Sequence, residues 1–196
     1  DLRAGKITQE EFHEAESCMH RSHGHCMVMG TASTMASMVE ALGVGLPGNA
    51  AYPAVDARRN VIARNAGRRI VDMVWEDLKP RDFLSQGSFD NAITTLMAMG
   101  GSTNAIVHLV AMAGRAGLAF PLERYNEIGA RTPVIANVRP SGSKYLMEDF
   151  FYAGGLRALM SRLTSKLDSS AITVTGRPIT EGLENAKIWN EDVIRT

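Results

Sequence analysis

Gly24-His25-Cys26-Met27-Val28-Met29-Gly30-Thr31-Ala32-Ser33-Thr34-Met35 sets one cysteine in a glycine-flanked turn and runs straight into a helix start. Beyond it Met35, Met38, Val39 and Leu42 recur at i, i+3, i+4 and i+7, and Gly43 ends the run. Gly24 allows close approach of the backbone, and the free N–H groups of a helix mouth favour an anionic sulfur. That is the geometry of a metal or cluster ligand. Spacing alone fits a small buried thiol equally well, because free cysteines commonly behave as buried hydrophobes and no dense CxxC pattern is present. A single thiolate holds no cluster, so the chemistry implied must be shared with other ligands.

Outward from this turn the chain reads as mostly helical. Residues 1–17 are polar and helix-prone. The longest helical signal runs from about Val55 to Leu78, with Val61, Ile62, Ile70, Met73, Val74 and Leu78 on one side, Arg58, Arg59, Arg64 and Arg68 on the other, and Pro80 as its stop. Phe89 to Met99 form another helix, closed by Gly100-Gly101. Ser102 or Thr103 then caps a third, whose inward face is Ile106, Leu109, Val110 and Ala113. Short helices are expected at Tyr145–Phe151, Leu156–Leu167 and Thr180–Ala186, and short strands at Pro133–Val138 and Ile172–Thr175. The fold class is therefore α/β, helix-rich with few strands, and not by itself a complete doubly wound sheet.

Composition narrows the function classes. Apolar residues are 45% of the 196, enough for a core, while 21 basic and 21 acidic residues cancel. That balance offers no steering field for nucleic acid or an anionic membrane. No apolar run reaches a spanning length, and a soluble cytoplasmic protein is the expectation. Asp1 at the start and Thr196 at the end read as cut ends of an internal fragment.

Other residues have simpler readings. Cys18, Cys26 and two of the histidines His20, His23 and His25 would make four zinc ligands, although zinc wants a paired motif. Cys18 reads as an ordinary thiol and His108 as a helix-packing residue. Thr31, Ser33 and Thr34 form a hydroxyl-rich helix entrance; capping explains one, and a carboxylate or hydroxylated substrate would use the others. Gly100-Gly101-Ser102-Thr103-Asn104 repeats that design without the lysine of a phosphate loop. The arginines near Arg64 read as a solvated face or subunit contact, and the methionines Met27, Met29, Met35 and Met38 as core filling.

Five blocks occur in a recognisable order: Gly24-His25-Cys26 through Leu46-Pro47-Gly48; Leu78-Lys79-Pro80-Arg81; Gly100-Gly101-Ser102-Thr103-Asn104-Ala105 with His108-Leu109; Pro140-Ser141-Gly142 with Met147-Glu148-Asp149; and Thr173-Val174-Thr175-Gly176. Together they resemble the dihydroxy-acid and phosphogluconate dehydratase family over almost the whole chain. The wording around Cys26 is most similar to sugar-acid dehydratases acting on arabinonate or xylonate. The resemblance implies a hydro-lyase that removes water from a 2,3-dihydroxy acid to give a 2-keto-3-deoxy acid, in sugar-acid metabolism or amino-acid biosynthesis. It implies an iron–sulfur cluster, 2Fe–2S in preference to 4Fe–4S, whose iron acts as Lewis acid on the leaving C3 hydroxyl, with a nearby Mg²⁺.

By the same resemblance Cys26 is the last of three cluster cysteines, the cofactor and metal ligand in this chain, and Cys18 has no counterpart. Thr31, Ser33, Ser102, Thr103 and Asn104 are the substrate-side or helix-entrance candidates. The other two cysteines, the Asp and Lys beside the metal and a serine base would lie outside residues 1–196, leaving no catalytic base here. The chain would then be the later part of a three-layer α/β/α N-terminal cluster-binding domain, without the C-terminal barrel-like domain. It would be inactive alone and homo-oligomeric at full length. The competing reading is a catalytically empty helical scaffold or interaction module that keeps the family packing.

Overall fold

The computed structural model describes residues 1–19 and 22–196; His20, and the part it was given in a zinc site, lie outside the described residues. Nine α-helices are formed among them: α1 Gln9–Cys18, α2 Thr31–Ala41, α3 Ala57–Trp75, α4 Pro80–Phe83, α5 Gln86–Met99, α6 Asn104–Arg115, α7 Glu123–Arg131, α8 Met147–Tyr152 and α9 Gly155–Ser161. Local chemistry sets several boundaries. Thr8 and Glu11 close a reciprocal capping box on α1, and Ser85 accepts from the Ser88 N–H to start α5. Gly100, at φ +60°, ends α5 in the left-handed conformation.

The core is built around α5. Phe89, Ala92, Ile93, Leu96, Ala98 and Met99 are all buried, and so are Asn91, Thr94 and Thr95 on the same helix. A helix covered on every side must sit inside its neighbours, and α2, α6, α7 and α9 pack around it. Its polar positions are satisfied internally: Thr95 Oγ1 donates to the Asn91 carbonyl at 2.8 Å. The Asn91 amide donates to the Asp168 carbonyl at 3.0 Å and accepts from the Asp168 N–H at 2.7 Å. Gly87, one turn earlier, lies so near Asp168 that a Cβ there would meet its Oδ2 at 2.0 Å. The ion pair between Arg124 and Asp90, 2.5 Å, ties α7 to the same helix.

The helix-rich reading holds, with three adjustments. Among the described residues the two expected strands are extended segments with isolated bridges only, Ala136 with Ile194, Val138 with Tyr145, and Ile172 with Pro178. Residues 135–137 find their antiparallel partner at 193–195, where Val193 and Ile194 are fully buried. The helix expected over Leu156–Leu167 stops at Ser161 and continues as a 3₁₀ turn, and Ile179–Leu183 is a 3₁₀ helix. Finally, α3 is capped by Asp56 and buries only Met73, so the apolar side assigned to it is largely exposed, Val74 at 72% and Ile70 at 57%. A satellite cluster of Met73, Phe83 and Val174 and the Arg69 guanidinium, which donates to the Val174 carbonyl at 2.6 Å, hold α3 in place.

Candidate functional site

Cys26 sits in a turn whose two flanks are clamped by distant backbone. The Met147 N–H donates to the Met27 carbonyl at 2.8 Å, and the Met29 N–H donates to the Arg139 carbonyl at 2.7 Å. Inside the turn the Val28 carbonyl accepts from the Cys26 thiol at 3.7 Å and from the Ser33 hydroxyl at 3.2 Å. Ser33, fully buried, also reaches the Gly30 carbonyl, so it braces the turn from the first turn of α2. Gly30 leaves room for the sulfur, which a Cβ would meet at 3.4 Å. Gly24, at φ +124°, packs against Ala54 so closely that a Cβ would lie 2.8 Å from the alanine's.

The half-buried Cys26 lines a cavity of about 360 Å³ together with His23 and His25, with Ala51, Tyr52 and Ala54, and with Met147 and Glu148 from α8. The loop that carries Ala51, Tyr52 and Ala54 is itself well held. Tyr52 meets Phe151 edge to face with ring centroids 5.8 Å apart, and the Arg58 guanidinium lies 5.0 Å from the Tyr52 centroid and 4.8 Å from that of Phe151. Gly155, at the start of α9, would place a Cβ 2.6 Å from that of Ala51.

Beyond the turn, the starts of α2 and α6 face one another. Thr31 Oγ1 and Ser102 Oγ are 3.1 Å apart, and Asn104 Nδ2 donates to Thr31 Oγ1 at 2.8 Å. The Ser102 N–H donates to Thr34 Oγ1 at 3.0 Å, and the Asn104 N–H to Ser102 Oγ at 3.3 Å. Ser102, not Thr103, supplies the oxygen for the first turn of α6, and Thr103 is exposed without a capping bond. Gly101 is required for this approach, since a Cβ would meet Thr34 Cγ2 at 2.9 Å. Ser141 completes the junction by donating to the Gly100 carbonyl.

Three of the five sequence blocks thus converge, those around Cys26, Ser102 and Pro140–Met147, and Thr31, Ser102 and Asn104 form one polar group. Ser33 and Thr103 do not join it. His108 is exposed on α6 and packs nothing away, which corrects its reading as a packing residue. Met29 and Met38 are in the core as expected, whereas Met27 is exposed. Cys18 is an exposed thiol on α1. Among the described residues no group of three His, Cys, Asp or Glu side chains converges to hold a metal ion. The zinc arrangement of Cys18, Cys26, His23 and His25 is therefore not formed, and the donor set around Cys26 fits one ligand of a cluster, not a whole one.

Sequence reasoning missed Glu40. It is buried on α2, accepts from the Gly48 N–H and the Ala50 N–H at 2.7 Å each, and thereby holds the loop that lines the cavity with Cys26. Burial pushes its carboxyl above the usual carboxylate range, against the pull of the two backbone donors and of Arg157. The available signal was a charged residue lying on the helix face that also carries Ser33 and Ser37, just before a Pro-Gly loop rich in N–H groups.

Comparison with known proteins bears on this arrangement. The chain is 53% identical over 194 residues to a Rhizobium meliloti (strain 1021) protein named as a dehydratase, covering 99% of this chain and 34% of that relative. It is 53% identical over 195 residues to an L-arabinonate dehydratase from Rhizobium leguminosarum bv. trifolii, covering 98% of the chain and 34% of the relative. A dihydroxy-acid dehydratase from Caldanaerobacter subterraneus is 45% identical over 197 residues, covering all of the chain and 35% of the relative. The chain thus spans about a third of the length of the curated relatives it matches. Residues 1–182 match the model of the dihydroxy-acid/6-phosphogluconate dehydratase N-terminal region, and the chain belongs to that family.

Proposed function

We propose that this chain forms part of the cluster-binding N-terminal domain of a hydro-lyase acting on a 2,3-dihydroxy acid, with a sugar acid as the favoured substrate. The observation that carries this reading is the clamping of the Cys26 turn by Arg139 and Met147, beside a cavity of about 360 Å³ that Cys26, Met147 and Glu148 line, in a chain of this family. The net reaction removes the C3 hydroxyl and the C2 proton as water and leaves an enol that tautomerises to the 2-keto-3-deoxy acid. Cys26 is assigned as one thiolate ligand of an iron–sulfur centre, whose remaining ligands, Mg²⁺ site and proton-accepting base come from other polypeptide. When bound, such a centre supplies a Lewis acid for the departing hydroxyl.

The residues of this chain have the narrower tasks of holding that sulfur in a fixed turn and offering polar atoms at the helix mouths that follow it. Thr31, Ser102 and Asn104 form a compact hydroxyl and amide group at two helix mouths, suited to the oxygens of a polyhydroxy acid. Ser33 positions the turn, and Thr103 is the exposed neighbour at the same mouth. The test is Cys26→Ser in a protein of the relatives' full length, assayed anaerobically with L-arabinonate and with a branched 2,3-dihydroxy acid. Loss of bound iron together with loss of dehydration supports the assignment; full iron content and turnover in the variant would refute it.

A second reading, a non-catalytic helical scaffold, is favoured for the 196 residues taken alone by the lack of a convergent metal-ligating group among the described residues. It predicts that the isolated chain folds, takes up little iron on anaerobic reconstitution and dehydrates neither acid. Stoichiometric cluster uptake by the isolated chain would rule it out.

A further inference from the structure

Part of the wall of the Cys26 cavity is a loop with few internal bonds. Residues 47–54 contain two prolines and a glycine at φ +92°. Backbone bonds bracket this loop only at its ends, from the Asn49 N–H to the Leu46 carbonyl at 3.1 Å and from the Asp56 N–H to the Pro53 carbonyl at 3.0 Å. Support comes from outside. Both oxygens of the buried Glu40 carboxylate are committed, Oε1 to the Gly48 N–H and Oε2 to the Ala50 N–H. Ala51 rests against Gly155, and Ala54 against Gly24 of the cysteine turn itself. Glu40 is carried by α2, the same helix whose first turn braces the cysteine turn through Ser33. One rigid helix therefore sets two parts of the cavity lining, one through a hydroxyl and the other through a carboxylate.

We propose that Glu40 is the positioning residue of the Cys26 cavity, fixing through Gly48 and Ala50 the wall formed by Ala51, Tyr52 and Ala54 and so governing access to the sulfur. A carboxylate is suited to this task because it is acceptor-only and offers an oxygen to each N–H. An amide of the same shape would point its NH₂ at one of the two donors, and that donor would then be buried without an acceptor. The inference rests on the reading of Cys26 as the working sulfur only for its functional importance; the geometry is tested independently of any turnover.

The experiment measures the iodoacetamide alkylation rate of Cys26 in a Cys18→Ser background, with amide exchange of Gly48 and Ala50 followed in parallel. Glu40→Gln is expected to raise the alkylation rate about tenfold, the effect of losing one charge-assisted bond on a local opening equilibrium. Exchange at Gly48 or Ala50 should accelerate with it. Asn91→Ala, remote from the wall, serves as the control for general destabilisation and should leave the rate unchanged at a matched distance below its own melting temperature. Ala51→Gly, which loosens the wall while keeping Glu40, should also speed alkylation and stands in should Glu40→Gln not fold. An unchanged alkylation rate in a folded Glu40→Gln protein, or in Ala51→Gly, would overturn the proposal, as would an equal rise in the Asn91→Ala control. Whether Cys26 binds iron is read separately from Cys26→Ser, so the two ideas fail by different results.

Discussion

Asn104 reaches from the first position of α6 to Thr31 at the first position of α2, its amide donating to the threonine hydroxyl at 2.8 Å, so two helix starts distant in sequence are joined side chain to side chain. Thr31→Val keeps the shape and removes the acceptor for Asn104 and the partner of Ser102. The expected loss is about 1 kcal/mol of unfolding free energy, read from urea denaturation. In a full-length protein the same variant should raise KM for a polyhydroxy acid more than it lowers kcat.

Asn91 serves the loop at Asp168 with both ends of its amide. Asn91→Ala removes both hydrogen bonds that tie the Asp168 backbone to α5 and should cost about 2 kcal/mol, measured as a shift of the denaturation midpoint with an unchanged slope. Gly87→Ala should be milder, because the clashing group is the carboxylate end of the exposed Asp168 side chain, which can swing aside. If Asn91→Ala proves as stable as the parent, the docking of this loop on α5 is wrong.

Tyr125 on α7 is buried against Phe120, and its hydroxyl has no hydrogen-bond partner among the described residues. Burial pushes the phenol up to about 12. Tyr125→Phe removes the unmatched group at little cost in shape and should stabilise the protein by about 1 kcal/mol, detectable as a raised melting temperature.

Asp56 caps α3 by accepting from the Arg58 N–H at 2.9 Å, and the paired Arg58 guanidinium, with that backbone donor, holds its carboxyl down at about 2, below the ordinary 3.8. A carboxyl depressed on folding contributes stability that is complete above the unfolded value and declines as pH falls from about 3.8 through about 2. Amide exchange in the first turn of α3 should therefore accelerate across that window. Asp56→Asn, which still caps but does not titrate, should abolish that dependence.

The exposed apolar face of α3 has a simpler consequence. Val71 is 54% and Val74 72% exposed, so replacing both with Lys should leave the unfolding free energy within about 0.5 kcal/mol of the parent while reducing self-association in light scattering. A large loss of stability would mean that this face is covered within the chain.

The helices were legible because their signals are local. Met38 and Leu42 recur with the helical period, Gly100 stops α5, and α4 starts at Pro80. What escaped depends on distant partners. The segment at 133–138 reads as a strand, yet its pairing is decided at 193–195, which carries no strand pattern of its own. Helix α7 has only Tyr125 and Ile128 as buried residues, too few to announce a period. The regular apolar spacing of α3 suggested burial that the described residues do not provide. In the candidate site, the turn around Cys26 was visible because glycine and helix-mouth chemistry are local. The joining of Thr31 with Asn104, and the hold of Glu40 on Gly48 and Ala50, are not, since hydrogen bonds across loops leave no periodic trace.

The clamps on either side of the cysteine turn, from Met147 to Met27 and from Met29 to Arg139, bear on the order of assembly. Closing so long a stretch of chain is entropically expensive and comes late relative to helix formation. A nascent polypeptide exposes the thiol long before residue 147 has been synthesised, and the sulfur acquires its final setting only when α8 docks. Until that closure is complete the thiol lacks both clamps on its turn, so the setting of this sulfur belongs to the tertiary fold and not to its own loop.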